Sequence, residues 1–210
     1  MNVLLVDVCH TLYDANTTYG FLDRCLVTNP GYAVLMKRRG SVFERVKARL
    51  FPGQDIIRQQ AVALLAGAPK QSLTEAAHDY VQTLSGITPV QDYIRGQQAD
   101  GVQVYLVSSS LDLLVDAIAQ QLGVAGWFAS RLGFNQGVCS GKLESDLTGT
   151  KDRIIREHFA DAAAIEFVSD NFSDANCIPL VQSFRPVYAR QNLRARAFWS
   201  RQKVGEPIYE

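Results

Sequence analysis

Val3, Leu4, Leu5 and Val6 form a run of four aliphatic residues that stops at Asp7. A run this short and partly β-branched predicts a strand buried on both faces. A carboxylate at its end does not sit unpaired in a core, because desolvation costs too much. Asp7 therefore belongs at the carboxyl end of the strand, where open parallel sheets hold their ligands, unless it serves only as a turn residue. Beyond it the period changes. Phe21, Leu22, Cys25 and Leu26 form one stripe, and Val42, Phe43, Val46 and Leu50 a second. Ile56, Ile57, Ala61, Val62, Leu64 and Leu65 form a third, and Ala76, Ala77, Tyr80, Val81 and Leu84 a fourth. Spacing of three and four predicts helices. Pro30-Gly31, Pro52-Gly53 and Gly67-Ala68-Pro69 separate them, and Ser72 with Glu75 reads as a capping box. Residues 15–90 thus read as a helical insertion between residues 1–14 and 91–210.

From about Gln91 helices and strands alternate. Residues 90–99 suit a helix with Pro89 at its start, ended by Gly101. Val102, Val104, Tyr105, Leu106 and Val107 predict a strand that ends in Ser108-Ser109-Ser110, followed by an amphipathic helix through Leu114, Ile118 and Leu122. Residues 127–130 predict a short strand. Residues 132–143, with Gly133, Gly137 and Gly141, predict a hairpin, and residues 152–159 a helix. Ile165, Phe167 and Val168 lead into Ser169-Asp170-Asn171-Phe172-Ser173-Asp174. A short helix over residues 175–180 and a final strand over 184–188 close the pattern. The expected fold is α/β, a doubly wound parallel sheet with right-handed crossovers.

Composition narrows the function. The 210 residues carry no formal net charge, which removes any global electrostatic case for nucleic acid or an anionic membrane surface. No apolar run approaches the ~20 residues of a membrane span, and the first apolar run is not a signal-peptide core, since it stops at Asp7. Cys9, Cys25, Cys139 and Cys177 have neither disulfide-framework nor zinc-site spacing. A reducing cytoplasm is the expected compartment.

Three strands end in polar clusters: Asp7, then Ser108 with Ser109, then Asp170 with Asp174. In a parallel sheet these ends share one edge. Carboxylates that converge there repel unless a cation lies among them, and hard oxygen donors suit Mg²⁺. Ser108 and the N–H groups that follow suit a phosphate, and Lys151 supplies further positive charge. A cation, an anion cradle and a carboxylate are the parts needed for phosphoryl transfer.

On these residues the chain resembles the haloacid dehalogenase superfamily of phosphatases. Asp7-Val8-Cys9-His10-Thr11-Leu12 is similar to the family's first motif, residues 104–108 to its second, Lys151 to its third and residues 169–174 to its fourth. Residues 15–90 resemble its helical type 1 cap. The stretch from Arg185 to Arg194 resembles the subgroup that contains phosphoserine phosphatases. The resemblance implies a Rossmann-like core and an aspartyl-phosphate formed on Asp7. It implies Mg²⁺ held by Asp7, Asp170 and the backbone carbonyl of Cys9, with Asp174 acting indirectly. It also implies phosphoryl oxygens bound by Ser108, Ser109 and Lys151.

Cys9 departs from the pattern, because the family usually has a second Asp there to protonate the leaving group and activate water. A thiol of pKa ~8.5 is a poor replacement. Three outcomes follow: a slow phosphatase, one in which His10 takes the role, or a phosphotransferase or phospho-ligand-binding protein that does not turn over. Dehalogenases of the superfamily also lack the second Asp, and they resemble this chain at Asp14, Ser169 and Asn171. They need no metal, however, and Asp170 stands where the phosphatases keep their metal ligand. Phosphoserine phosphatases carry a glutamate near the position of Asn16, so Asn16 points to a substrate other than phosphoserine, a small phosphorylated metabolite such as a sugar or polyol phosphate. Lys37, Arg38, Arg39, Arg45, Lys47 and Arg49 read as a solvated helix face, or as a site for a second anionic group on the substrate. The tail around Phe198 and Trp199 packs either on the core or on a partner.

Overall fold

β1 (Asn2–Val6) lies inside a seven-stranded sheet, and its alternate residues enter two separate cores. Leu4 and Val6 join one hydrophobic cluster, Val3 and Leu5 the other, and all four are buried. This is the two-faced burial that an uninterrupted aliphatic run requires. The computed structural model describes residues 1–39 and 55–209. The stripe from Val42 to Leu50, the Pro52-Gly53 break and the basic residues Arg45, Lys47 and Arg49 lie outside the described residues.

After β1 come α1 (Thr17–Cys25), α2 (Pro30–Arg39), α3 (Ile56–Ala63), α4 (Lys70–Val81) and α5 (Thr88–Ala99). Then follow β2 (Gln103–Leu111), α6 (Asp112–Leu122), β3 (Gly126–Asn135), β4 (Val138–Ser145), α7 (Lys151–His158) and β5 (Ala164–Ser169). A 3₁₀ helix (Phe172–Leu180), β6 (Ser183–Tyr188), α8 (Leu193–Trp199) and β7 (Ile208–Tyr209) complete the chain. The strand order is β4-β3-β2-β1-β5-β6-β7. Every neighbouring pair is parallel except β3 with β4. The fold is therefore α/β, a parallel-dominant Rossmann-like sheet with helices on both faces.

Several local expectations change. Pro30 opens α2 instead of breaking the chain, at the helix start, where its missing N–H is no loss. Only Tyr32 of α2 is buried, so the helix carries no apolar stripe to reveal it. The capping box does not form: α4 starts at Lys70, two residues before Ser72, and Glu75 instead accepts a hydrogen bond from Gln71 at 2.9 Å. The short strand expected at 127–130 and the first arm of the hairpin are one strand, β3, running to Asn135. The strand over 183–188 is not the last, because β7 pairs with it at Val187–Ile208 and Tyr188–Tyr209. The aromatic tail packs inward. Trp199 is buried in the second core, its ring 5.1 Å from Phe184, while Phe198 stacks on Phe172 at 4.3 Å.

The helical segment leaves and rejoins the sheet at one place. Asp14 N–H donates to the Ser85 carbonyl at 3.2 Å, and Ile87 N–H donates to the Leu12 carbonyl at 2.9 Å. It also docks on the β3–β4 hairpin, where the Gly67 N–H donates to the Cys139 carbonyl at 2.9 Å and the Cys139 N–H to the Ala68 carbonyl at 2.8 Å. Gly141 permits this approach. Its φ is +70°, and a β-carbon there would lie 2.9 Å from the Ala63 carbonyl oxygen.

Candidate active site

Val6 pairs with Leu106 on one side and Val168 on the other, so the end of β1 lies level with the approach to Ser108 in β2 and to Asp170 after β5. This register gathers the polar strand ends. The Asp7 N–H donates to the Val168 carbonyl at 3.0 Å, and its buried side chain turns back so that Oδ1 accepts from the Val8 N–H at 2.7 Å. Lys151, the first residue of α7, reaches the same oxygen with Nζ at 2.9 Å and Asp174 Oδ2 at 2.7 Å. Ser169 Oγ donates to Asp174 Oδ2 at 2.6 Å. Burial alone would lower the Lys151 pKa, but Asp174 and Asp7 outweigh it and hold the amine above its ordinary range. The ammonium stays charged because two carboxylates flank it.

Asp170 is held by Thr11. Its Oδ1 accepts from Thr11 Oγ1 at 2.8 Å, and its backbone N–H donates to the same hydroxyl at 2.8 Å. Burial, then the charge of Asp7, pushes the Asp170 carboxyl up to about 7. Burial also raises Asp7, opposed by Lys151 and reinforced by Asp174. Two carboxylates that each disfavour the other's charge are a donor set that a hard divalent cation would relieve. Asp7 and Asp170 could hold Mg²⁺. Asp174 is already committed to Lys151 and Ser169, so its place is to position the lysine.

Cys9 sits in a triangle of small polar side chains. Its Sγ lies 3.1 Å from Ser110 Oγ and 3.3 Å from Thr17 Oγ1, and those hydroxyls are 2.6 Å apart. Burial, then the Asp7 charge, pushes the thiol up. His10 turns elsewhere. Its backbone has φ 54°, its ring is half exposed, and Nδ1 lies 3.7 Å from Asp14 Oδ1.

The serines separate by strand alternation. Ser108 and Ser110 are buried, whereas Ser109 is only half-buried. Parallel pairing of β2 with β3 runs to Val107–Phe128 and resumes at Leu111–Ser130, so the three serines form a bulge. Ser108 Oγ accepts from the Ser110 N–H at 3.2 Å. The Ser109 carbonyl accepts from Arg58 Nη1 at 2.8 Å and from Ser130 Oγ at 2.9 Å. The helix does not follow Ser108 directly but begins at Asp112. Asn16 is the N-cap of α1, its Oδ1 accepting from the Tyr19 N–H at 3.1 Å.

Three residues that the sequence reading did not single out belong here: Thr17, Ser110 and Arg58. Strand alternation from Ser108 points to Ser110, once β2 is carried past Val107. Arg58 gave no signal, because a lone arginine on an apolar helix reads as surface. In the structure it is buried, bonds Ser109 and pairs with Asp146 at 2.5 Å.

The profile of haloacid dehalogenase-like hydrolases matches residues 4–178, and the chain belongs to that family. Among solved structures it is similar to a protein of unknown function from Bordetella pertussis Tohama I, with 21% identity, coverage of 97% of each chain and a TM-score of 0.76. A phospho-aspartyl intermediate analogue of phosphoserine phosphatase has 17% identity, a TM-score of 0.67 and coverage of 94% of this chain and 90% of that one. Cytosolic 5'-nucleotidase IIIB bound to cytidine has 12% identity, a TM-score of 0.66 and coverage of 100% of this chain and 80% of that one. At these identities the likeness is one of fold. A sequence comparison with curated proteins gives no match. Among the described residues no helix is long and apolar enough to cross a membrane.

Proposed function

We propose that the chain is a Mg²⁺-dependent phosphoric-monoester hydrolase that acts on a small phosphorylated metabolite through an aspartyl-phosphate on Asp7. The observation that carries this reading is the buried Lys151, bonded to both Asp7 and Asp174, with Asp170 near enough to feel the charge of Asp7. An Asp7 carboxylate oxygen attacks phosphorus, and the bond from phosphorus to the leaving oxygen breaks, that oxygen taking a proton from solvent. Water then attacks phosphorus, gives up a proton to solvent, releases inorganic phosphate and restores the carboxylate. Lys151 and the Val8 N–H hold Asp7 Oδ1 and so fix the carboxylate's orientation. Ser108, with Ser109 beside it, and Lys151 are the groups proposed to meet the phosphoryl oxygens. Mg²⁺, held by Asp7, Asp170 and the Cys9 carbonyl, would neutralise phosphoryl charge when bound.

The helices between residues 15 and 90 are proposed as the cap, with the paired stretches 12–14 and 85–87 as its neck. Arg58 ties this cap to the core strands through Ser109 and Asp146. The position of Asp170 beside Asp7 favours this reading over a metal-independent 2-haloacid dehalogenase. Cys9 supports a second reading, a phosphotransferase or phospho-ligand-binding protein, because neither the thiol nor the outward-turned His10 replaces a carboxylic acid.

The test is phosphate release from an aryl phosphate and a panel of sugar and polyol phosphates, with Mg²⁺ and with chelator. Metal-dependent release that disappears in Asp7→Asn is expected. Release from none of them, with a phosphorylated Asp7 detected by intact mass, supports the second reading. Neither release nor phosphorylation would sink the hydrolase and the phosphotransferase and leave only ligand binding.

A further inference from the structure

A cavity of about 420 Å³ opens beside Asp170, lined by His10, Asn171, Phe172, Asn192 and Arg194 among others. Its chemistry is that of a donor-lined pocket. Asn171 Oδ1 already accepts from the Ser173 N–H at 3.1 Å and from Ser173 Oγ at 3.0 Å. Asn192 Oδ1 already accepts from the Ala195 N–H at 3.0 Å. Both amide oxygens are engaged by the backbone, and each side chain keeps its NH₂ donors to offer. Arg194 lies over the Phe172 ring at 5.6 Å and forms no ion pair among the described residues. Asp170 is the single carboxylate in the lining, and its Oδ1 already accepts from Thr11.

His10 adds an independent sign. Its φ of 54° is a conformation that glycine adopts freely and a residue with a β-carbon resists. Strain of this kind collects at ligand-binding sites. Here it places an imidazole in the same cavity wall. A guanidinium, an imidazole and two amide donors around one space suit a carboxylate or phosphate.

We propose that this cavity receives a second anionic group of the substrate, so that the substrate class is a phosphomonoester bearing a carboxylate or a further phosphate, with Arg194 and His10 as the residues that select it. The proposal rests on the phosphatase reading and deepens it.

The test is calorimetric binding to Asp7→Asn protein in Mg²⁺, which needs no turnover. The ligands are glycerol 3-phosphate, 3-phosphoglycerate and 1,3-propanediol bisphosphate. The first two differ in a hydroxymethyl against a carboxylate, and the third carries a second phosphate. One or both doubly anionic ligands should bind roughly 10- to 100-fold tighter than glycerol 3-phosphate, as a charge-assisted contact implies. That ratio should fall close to one in Arg194→Gln, recover in part in Arg194→Lys and shrink in His10→Gly. The last variant also relieves the backbone, so a failure to fold does not explain its loss. Equal binding of all three ligands overturns the proposal while leaving the phosphatase reading intact. A preference that survives both Arg194→Gln and His10→Gly also overturns it. Binding of none of the three removes the phosphate site and the proposal together.

Discussion

Thr11 and Asp170 exchange hydrogen bonds in both directions, hydroxyl to carboxylate and backbone N–H to hydroxyl, each at 2.8 Å. The contact joins the loop after β1 to the loop after β5 across 159 residues of sequence. It holds in place a carboxylate that burial and Asp7 both disfavour. Thr11→Val keeps the shape and removes the hydroxyl. We expect a loss of about 1–3 kcal/mol in denaturant unfolding and weaker Mg²⁺ binding by calorimetry, with Thr11→Ser restoring both. Unchanged Mg²⁺ affinity in a folded Thr11→Val protein would show that Asp170 needs no such support.

Lys151 is the second point of stress. Lys151→Met leaves Asp7 and Asp174 buried without their shared cation. Breaking a buried pair in this way costs about 3–5 kcal/mol, and phosphorylation of Asp7 should disappear. Lys151→Arg retains the charge, so it should recover much of the stability but little of the activity, since the guanidinium cannot reproduce the point contact. The pair of unfolding curves separates charge from chemistry.

Cys9→Asp should raise phosphate release, because it supplies a carboxyl where the thiol now bonds Ser110 and Thr17. General acid–base catalysis is worth about 10²–10⁴-fold. The gain should be larger for alkyl phosphates than for aryl phosphates, whose leaving groups depart without a proton. Equal gains for both classes would mean that the new carboxyl acts on water alone.

The Arg58–Asp146 pair predicts a pH dependence. Burial opposes the charge on Asp146, but the bonds to Arg58 and Thr148 outweigh it and hold the carboxyl below its ordinary value of 3.8. A folded-state pKa below the unfolded one stabilises the fold above the unfolded value, and this contribution is lost as pH falls through the folded one. Asp146→Asn should therefore cost about 1–3 kcal/mol at pH 7, with the difference from the parent protein narrowing as pH falls from about 4 towards 2. A constant difference across that range would assign the effect to packing.

Much of this was legible in the chain. The aliphatic run before Asp7, the strand before Ser108 and the strand before Asp170 each carry their own signal. Once they are parallel neighbours, register alone brings their ends together. What stayed hidden depends on contacts that periodicity does not encode. The burial of Arg58 depends on Asp146, 88 residues later, and its pairing with it is tertiary. α2 buries little besides Tyr32, so it lacks the stripe by which helices are read. Ser72 and Glu75 have the spacing of a cap, but docking of residues 67–70 on the hairpin starts the helix earlier. β7 is two residues long, below what alternation can show.

That short strand has a consequence for solubility. On the outer side of β6, β7 pairs with Val187 and Tyr188, the Gly205 N–H donates to the Phe184 carbonyl at 2.8 Å, and α8 lays Trp199 over Phe184. A two-residue edge strand is too short to recruit another chain, which is how native sheets avoid growing by edge-to-edge pairing. Removing the residues after Tyr188 would bare the end of the strand edge together with the Phe184 and Phe172 rings, and the expected product is an aggregating protein, not a smaller enzyme.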